Sequence, residues 1–146
     1  MTCKQSGCHD SFELNAGKAA GLGDIVIEGF PKQYEPGMTY PVKLTVTHTG
    51  DRKLWGFQLA TRVKETGAQA GVLKPIDGST VVVEEKSIQY IEHTLTGNRT
   101  NVFSFSWVAP NSSMGAVVAN AAGNATNGDE SPEGDYIYTT ELVVSP

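Results

Sequence analysis

Apolar and polar residues alternate along much of this chain with a period of two. The clearest case is the segment 39–49, in which one face carries Tyr40, Val42, Leu44, Val46 and His48. The residues between them are Pro41, Lys43 and threonines. Strict alternation of this kind predicts a strand with one buried face. Pro41 indicates either an edge strand or the start of a strand, because proline has no backbone N–H to donate.

The same pattern recurs along the chain and predicts seven further strands. They cover residues 24–30, 54–63, 80–84, 88–94, 101–108, 115–121 and 136–144. Turn signals such as Pro36-Gly37, Asp77-Gly78 and Asn127-Gly128-Asp129 separate them, and no segment shows a sustained helical period. Many short strands at roughly 8–12-residue spacing predict an all-β protein, an antiparallel sandwich or barrel.

The first part of the chain differs from the rest. Residues 1–23 are rich in Gly and Ala and show no periodicity, so we predict a lead-in that lies over a sandwich domain formed by residues 24–146. The length of 146 residues fits one domain with a proper core.

The charge and hydropathy of the chain indicate which classes of partner it binds and in which compartment it acts. The net charge is -5 and there is no basic stripe, which argues against nucleic acid as a partner. No run approaches the roughly 20 apolar residues of a membrane-spanning helix. The first residues lack the charged and apolar regions of a signal peptide. We expect a mature or trimmed chain of a secreted protein, extracellular or periplasmic; the alternative is a cytosolic chain.

Both cysteines lie close together at the N-terminus, in the stretch Cys3-Lys4-Gln5-Ser6-Gly7-Cys8-His9. Two thiols with a histidine directly after the second fit covalent attachment of a c-type haem, with His9 on the iron. A disulfide between Cys3 and Cys8 is the second interpretation, although so small a loop stabilises little. A metal site is the third, but Cys3, Cys8 and His9 provide three ligands where a structural zinc site takes four.

A series of landmarks also runs through the chain in a characteristic order. They are Cys8-His9-Asp10, Gly29-Phe30-Pro31, Tyr34, Pro36-Gly37-Met38-Thr39-Tyr40, Gly56-Phe57-Gln58-Leu59, Tyr90-Ile91-Glu92-His93-Thr94, Phe105-Ser106-Trp107-Val108-Ala109-Pro110, Asn127-Gly128-Asp129 and Gly134-Asp135-Tyr136-Ile137-Tyr138. This series resembles the Reeler-type domain, in particular the bacterial secreted branch called the choice-of-anchor V domain. The resemblance covers nearly the whole chain and implies an Ig-like antiparallel β-sandwich in a secreted protein.

The resemblance also bears on the N-terminal motif. Many bacterial members carry a haem-attachment Cys-x-x-Cys-His near the N-terminus, and here the spacing is the longer Cys-x4-Cys-His. The resemblance therefore implies one covalent haem c on Cys3 and Cys8, with His9 as the proximal iron ligand. For the distal ligand we take His93 first, since it lies in a family-like stretch, and His48 second. For either histidine, a structural role near a strand end is the competing interpretation.

Two functions follow from these alternatives. The first is an extracellular or periplasmic monohaem cytochrome that passes electrons to a redox partner or to like subunits, in a homo-oligomer or filament. The second is a non-catalytic secreted binding or adhesion module with a Cys3–Cys8 disulfide, in which the loops carry recognition. No nucleophile motif such as Gly-x-Ser-x-Gly and no phosphate-binding loop is present, so we expect no enzymatic activity.

One acidic loop remains. Asn127, Asp129, Glu130, Glu133 and Asp135 would provide oxygen ligands of the kind that Ca²⁺ takes, but their spacing is not that of an EF-hand. The Gly and Pro residues of the segment favour a solvated turn.

Overall fold

The structure is a computed structural model that describes residues 11–129, 131 and 133–146. A short helix and nine strands make up the described part. In chain order they are α1 (Ala16–Ala19), β1 (Gly23–Glu28), β2 (Thr39–His48), β3 (Leu54–Val63), β4 (Val72–Pro75), β5 (Thr80–Glu85), β6 (Ile88–His93), β7 (Val102–Val108), β8 (Val117–Thr126) and β9 (Tyr136–Val144), with a 3₁₀ turn at Gly97–Arg99 between β6 and β7.

The strands form two antiparallel sheets. One has the order β1-β2-β7-β4 and the other the order β5-β6-β3-β8-β9. Every pairing between the named strands is antiparallel. The predicted all-β sandwich is therefore confirmed.

The core lies between the sheets, and the period of two explains which residues enter it. In β2, Val42, Leu44 and Val46 are buried while the residues between them face outward. They meet the aromatic side chains of the neighbouring β7 and of β3 in the opposite sheet, among them Phe57, Phe103, Phe105 and Trp107. Full burial of one such side chain stabilises the fold by about 1.5–3 kcal/mol. Core packing therefore provides the main stabilising contribution.

The predicted strands match the observed ones closely, with two exceptions. β8 continues to Thr126, beyond its predicted end. The prediction stopped short because the alanines and glycine of this segment give little contrast between the two faces of the strand. β4 was not predicted, since four residues are too few to show a period.

β2 is not an edge strand, for it lies between β1 and β7. Pro41 instead lies near the start of β2, beyond the last β1 pair at Glu28 and Lys43.

The described part of the lead-in, residues 11–22, packs against the side of the sandwich where β1 and β9 meet. The amide of Asn15 forms two hydrogen bonds with Thr139, as donor to Oγ1 at 2.8 Å and as acceptor from the backbone N–H at 2.7 Å. Its own N–H donates to the carbonyl of Ile137. Gly17 of α1 lies against the hydroxyl of Tyr138. Residues 11–22 therefore close one edge of the sandwich.

Candidate functional site at one end of the sandwich

Several chain segments meet at the end of the sandwich where β2 finishes. Gly23 pairs with His48 there, and the turn of residues 49–53 leads directly into β3. The segments joining β4 to β5, β6 to β7 and β8 to β9 lie at the same end, as antiparallel connectivity requires. We call these segments, residues 49–53, 76–79, 94–101 and 127–135, the loop end. His48 and His93, the last residues of β2 and β6, both lie there.

His48 is held at both ring nitrogens. Its Nδ1 shares a short hydrogen bond with the hydroxyl of Tyr138, and its Nε2 lies 3.2 Å from Nη2 of Arg52. A guanidinium only donates, so Nε2 must accept the Arg52 hydrogen bond, and the proton must be on Nδ1, which donates to Tyr138. Burial lowers the pKa of His48, and the Arg52 charge lowers it further. The structure therefore holds a neutral imidazole of defined tautomer.

Tyr138 completes this arrangement from the core side. Its ring is fully buried, and burial raises the pKa of its phenol. The phenol therefore stays protonated and keeps a neutral oxygen that accepts from His48 Nδ1.

Arg52 connects this histidine to the last loop and the lead-in. Its Nη1 donates to the carbonyl of Gly134 at 3.0 Å, and the guanidinium lies 4.9 Å from the centre of the Tyr136 ring. The Tyr136 ring is 4.6 Å from the His48 ring and stacks on Phe12 at 4.2 Å. A continuous cluster of aromatic rings and the Arg52 guanidinium thus runs from His48 to Phe12.

An open cleft adjoins this cluster. It has a volume of about 460 Å³ and is lined by Lys18, Gly21, Leu22, Gly23, Asp24, Thr47, His48 and Thr49. An ion pair of 2.8 Å between Lys18 and Asp24 lies in its wall, and both side chains are a little under half exposed. His48 is the residue of this cluster that also lines the cleft.

His93 has different neighbours. Its Nδ1 lies 3.2 Å from the backbone N–H and 3.3 Å from the carbonyl of Phe57, so it contacts the backbone of β3 where the pairing of β6 with β3 ends. Its ring lies 6.5 Å from that of Phe103. A Cβ on Gly56 would lie 2.8 Å from Cε1 of His93, so the glycine makes room for the ring. This geometry fits a structural role near a strand end.

The two candidate distal histidines are therefore not brought together. His48 contacts Tyr136, Tyr138 and Arg52, whereas His93 contacts the backbone of Phe57 and the ring of Phe103. Cys3, Cys8 and His9 lie outside the described residues. Within residues 11–129, 131 and 133–146, no group of three or more His, Cys, Asp or Glu side chains is arranged to hold a metal ion.

The described residues of the acidic loop mainly bond to one another. Asn127 receives a hydrogen bond from the N–H of Asp129 and donates to the Asp129 carboxylate, and its own N–H donates to Asp135. Gly134 donates to the hydroxyl of Ser11, which ties the loop to the lead-in. This internal hydrogen bonding fits the predicted turn.

Sequence reasoning did not identify Arg52 or Tyr138 as partners of His48. Tyr138 is 90 residues from His48 in the chain, so no local pattern connects them. Arg52 is four residues away, and a cation in the turn after a strand that ends in histidine is only a weak signal.

An antiparallel sandwich of two sheets, with its connecting loops clustered at the two ends, is typical of Ig-like domains. The profile of the Reeler domain family matches residues 12–123. The chain therefore belongs to the Reeler domain family.

Solved structures agree with this assignment. The crystal structure of the human F-spondin reeler domain is 21% identical with a TM-score of 0.59, over 85% of this chain and 89% of that one. The Reelin-N domain of F-spondin is 22% identical with a TM-score of 0.58, over 86% of this chain and 87% of that one. A conjugative transposon lipoprotein from Bacteroides eggerthii is 13% identical with a TM-score of 0.52, over 86% and 98% of the two chains. At these identities the similarity shows the fold.

A comparison with curated protein sequences gave no match. Among the described residues, no helix has both the length and the apolar character needed to cross a membrane.

Proposed function

We propose that this Reeler domain acts outside the cytosol as a non-catalytic binding module whose loop end carries recognition. The observation that carries the proposal is the convergence of four connecting segments, drawn from both sheets, at one end of a rigid sandwich. Binding residues are found disproportionately on loops positioned by such a scaffold. Membership of a family of extracellular domains supports the location.

The surface of the loop end combines apolar, polar and charged side chains, as recognition surfaces do. Leu95, between β6 and β7, is 89% exposed, and the surrounding threonines of the same segment are polar. Arg52 and the described residues of the acidic loop add charge of both signs. In this proposal Cys3 and Cys8 form a disulfide at the start of the chain, as an oxidising compartment allows.

Adhesion of the purified domain to the outer surface of the producing cells tests the role of the loop end. Leu95→Ser removes the exposed apolar side chain, and Met114→Ser removes one of 44% exposure near the opposite end as a matched control. We expect Leu95→Ser to weaken adhesion at least several-fold and Met114→Ser to leave it unchanged. Equal adhesion of both variants and the wild type would show that recognition lies elsewhere.

A second function is favoured by one observation, the contact of Ser11 and Phe12 with the segment that leads into β9, beside His48. Ser11 bonds to Gly134 and Phe12 stacks on Tyr136, beside an imidazole whose tautomer is fixed. We propose on this basis a secreted monohaem c-type cytochrome that exchanges electrons with a redox partner or with like subunits. Cys3 and Cys8 would carry the haem and His9 would bind its iron.

The donor chemistry of the described residues fits such a group. A neutral imidazole with Nδ1–H bonded to a protein oxygen is the form in which histidine binds metals through Nε2. The haem would supply the redox chemistry, and this chain would supply ligation and an apolar wall from Phe12 and Tyr136.

One measurement separates the two functions. Protein is produced in a secreting host that has cytochrome maturation machinery, and its intact mass and denatured, reduced visible spectrum are recorded. The binding module predicts a colourless chain, lighter than the reduced chain by the two hydrogen atoms that a disulfide removes. The cytochrome predicts the added mass of one haem and colour that survives denaturation.

A further inference from the structure

We infer that the outer edge of β5 is an interface through which two copies of this chain pair, strand against antiparallel strand. The five-stranded sheets of the two copies then form one continuous sheet. The inference goes beyond the proposed function and depends on neither form of it, because no residue of β5 belongs to the loop end. It rests on a comparison of the hydrogen bonding at the four sheet edges.

Three of the four edges are closed by side chains. The edges are formed by β1 and β4 in one sheet and by β5 and β9 in the other. In β1, β4 and β9 a side-chain oxygen accepts from a backbone N–H of the edge strand, so this N–H is not available to another strand. The three donor and acceptor pairs are Ile25 and Asp24 in β1, Leu73 and Gln89 in β4, and Thr139 and Asn15 in β9.

The edge of β5 is different. The turn of residues 86–87 has positive φ at both positions, 51° and 63°, as a type I′ hairpin requires, and it is closed by the pair Glu85 and Ile88. The backbone of Glu85 therefore faces β6, and by alternation the N–H groups of Val82 and Glu84 point away from β6. Within the described part of the chain, no strand pairs with this side of β5 and no side chain accepts from these two N–H groups.

The residues of β5 favour pairing with another strand. Four β-branched residues, Thr80 to Val83, precede the two glutamates. Val81 and Val83 are each 39% exposed on the outer face of the sheet, whereas Val82 lies opposite the buried Ile91. An unpaired edge of this composition is a template for a further strand. The charges at its C-terminal end restrict which strand can pair.

A second copy fits this edge in an antiparallel register centred on Val82. Val82 of each copy then donates to the carbonyl of Val82 in the other, and Val81 faces Val83 twice by symmetry. Glu84 faces the uncharged Thr80. The two Glu84 side chains lie four strand residues apart, about 14 Å, which exceeds the Debye length of about 8 Å at physiological salt. A parallel register would place them side by side, so the charges select the antiparallel one.

Sedimentation velocity of the full chain over a wide range of concentration tests the inference, with a reductant present to exclude intermolecular disulfides. Val82→Pro removes the outward N–H and keeps the hydrogen bonds to β6, since proline is tolerated at such a position of an edge strand. We expect the wild type to dimerise reversibly. Val82→Pro should dimerise about 30-fold more weakly, which corresponds to the loss of two hydrogen bonds. Circular dichroism and thermal unfolding verify that the variant is folded.

A second set of variants tests the register through side chains. Val83→Lys places a charge where Val81 of the other copy lies, and it should weaken dimerisation several-fold. Val143→Lys is the matched control, because Val143 is 47% exposed on β9 at the opposite edge of the same sheet. It should dimerise like the wild type. Mixing Val83→Lys with Val81→Glu should restore dimerisation, because the two new charges then face each other across the interface.

Other results overturn the inference. Dimerisation that neither Val82→Pro nor Val83→Lys weakens would place the interface on another surface. A wild type that stays monomeric at every concentration would show that two copies do not pair through β5. If a synthetic peptide of alternating threonine and valine then slows exchange of the Glu84 N–H with solvent, the edge takes a strand of another protein instead.

Discussion

At the scale of single residues, a few close contacts determine the positions of His48 and Tyr138 beside the loop end. Arg52 fixes the tautomer of His48 because a guanidinium has no lone pair to offer. Gly17 lies so close to Tyr138 that a Cβ would be 2.2 Å from its hydroxyl. The Tyr138 ring is fully buried and its hydroxyl is bonded to His48, so it cannot move aside freely. Substitutions at these positions should therefore change the stability of the protein even where the change in side-chain volume is small.

Gly17→Ala should destabilise the protein even though alanine favours helices over glycine by about 1 kcal/mol. Overpacking against a buried ring costs about 1–3 kcal/mol, which exceeds that gain. Gly78→Ala is the matched control, because a Cβ there meets nothing within 4 Å. We expect a lower thermal midpoint for Gly17→Ala and an unchanged one for Gly78→Ala. Equal midpoints would mean that Tyr138 yields more easily than its burial indicates.

The lowered pKa of His48 predicts a dependence of stability on pH in the metal-free protein. The unfolded chain takes up a proton near pH 6.5, while the folded chain, where burial and Arg52 disfavour the charge, takes it up at lower pH. The contribution of the neutral His48 imidazole to the free energy of unfolding is complete above pH 6.5. It is lost as the pH falls from there towards the lower pKa of His48 in the folded chain. Thermal midpoints at pH 7.5 and 5.5 measure this effect. His48→Gln should show a smaller acid-induced decrease than the wild type; an identical decrease would assign the effect to other groups.

At the scale of elements, the side chain of Asn15 joins the lead-in to β9 by two hydrogen bonds. Asn15 has a left-handed backbone with a φ of 62°, a conformation that asparagine tolerates better than most residues. This conformation allows its amide to bond to Thr139 while its N–H bonds to Ile137. The sequence pattern shows only an aperiodic stretch here, because the structure of the lead-in comes from contacts with residues more than a hundred positions away.

Asn15→Gly tests this connection, since glycine tolerates the left-handed backbone and removes the side chain that carries the amide. Loss of two hydrogen bonds at about 1 kcal/mol each should lower stability by about 1–2 kcal/mol. The Thr139 N–H should also exchange with solvent faster. Asn15→Asp keeps the acceptor for that N–H and should protect it better than glycine does. If exchange is unchanged in Asn15→Gly, the lead-in is held by other contacts.

At the scale of the whole molecule, the core extends from Ile25 to Val144, whereas residues 11–22 close one edge. Removing residues 1–10 should leave the core intact. Removing residues 1–22 should uncover the Tyr138 hydroxyl and the free side of β9, which promotes aggregation as exposed sheet edges do. Circular dichroism, thermal unfolding and size-exclusion chromatography of both truncated chains measure this. We expect the first to unfold within a few degrees of the full chain and the second to be markedly less stable or aggregated.

Most of the sandwich could be predicted because alternation in a strand is a local property. Segments such as 54–63 and 136–144 coincide with β3 and β9, since each residue's face follows from its parity. β4 and the full length of β8 could not be predicted, because a very short strand and an alanine-rich one show little contrast. The order of the strands in the two sheets also lies outside any local pattern.

The sequence by itself determined the fold class, the position of most strands and the chemistry available at the N-terminus, where two cysteines and a histidine lie within seven residues. Only the tertiary structure decided which histidine lies beside the aromatic rings of Phe12 and Tyr136. His48 and His93 end their strands in similar ways, and nothing in their local sequence separates them by environment. Their difference arises because β9 places Tyr136 and Tyr138 against His48, whereas His93 contacts the backbone of β3 at Phe57. Such neighbours are set by sheet order, which is a property of the folded chain as a whole.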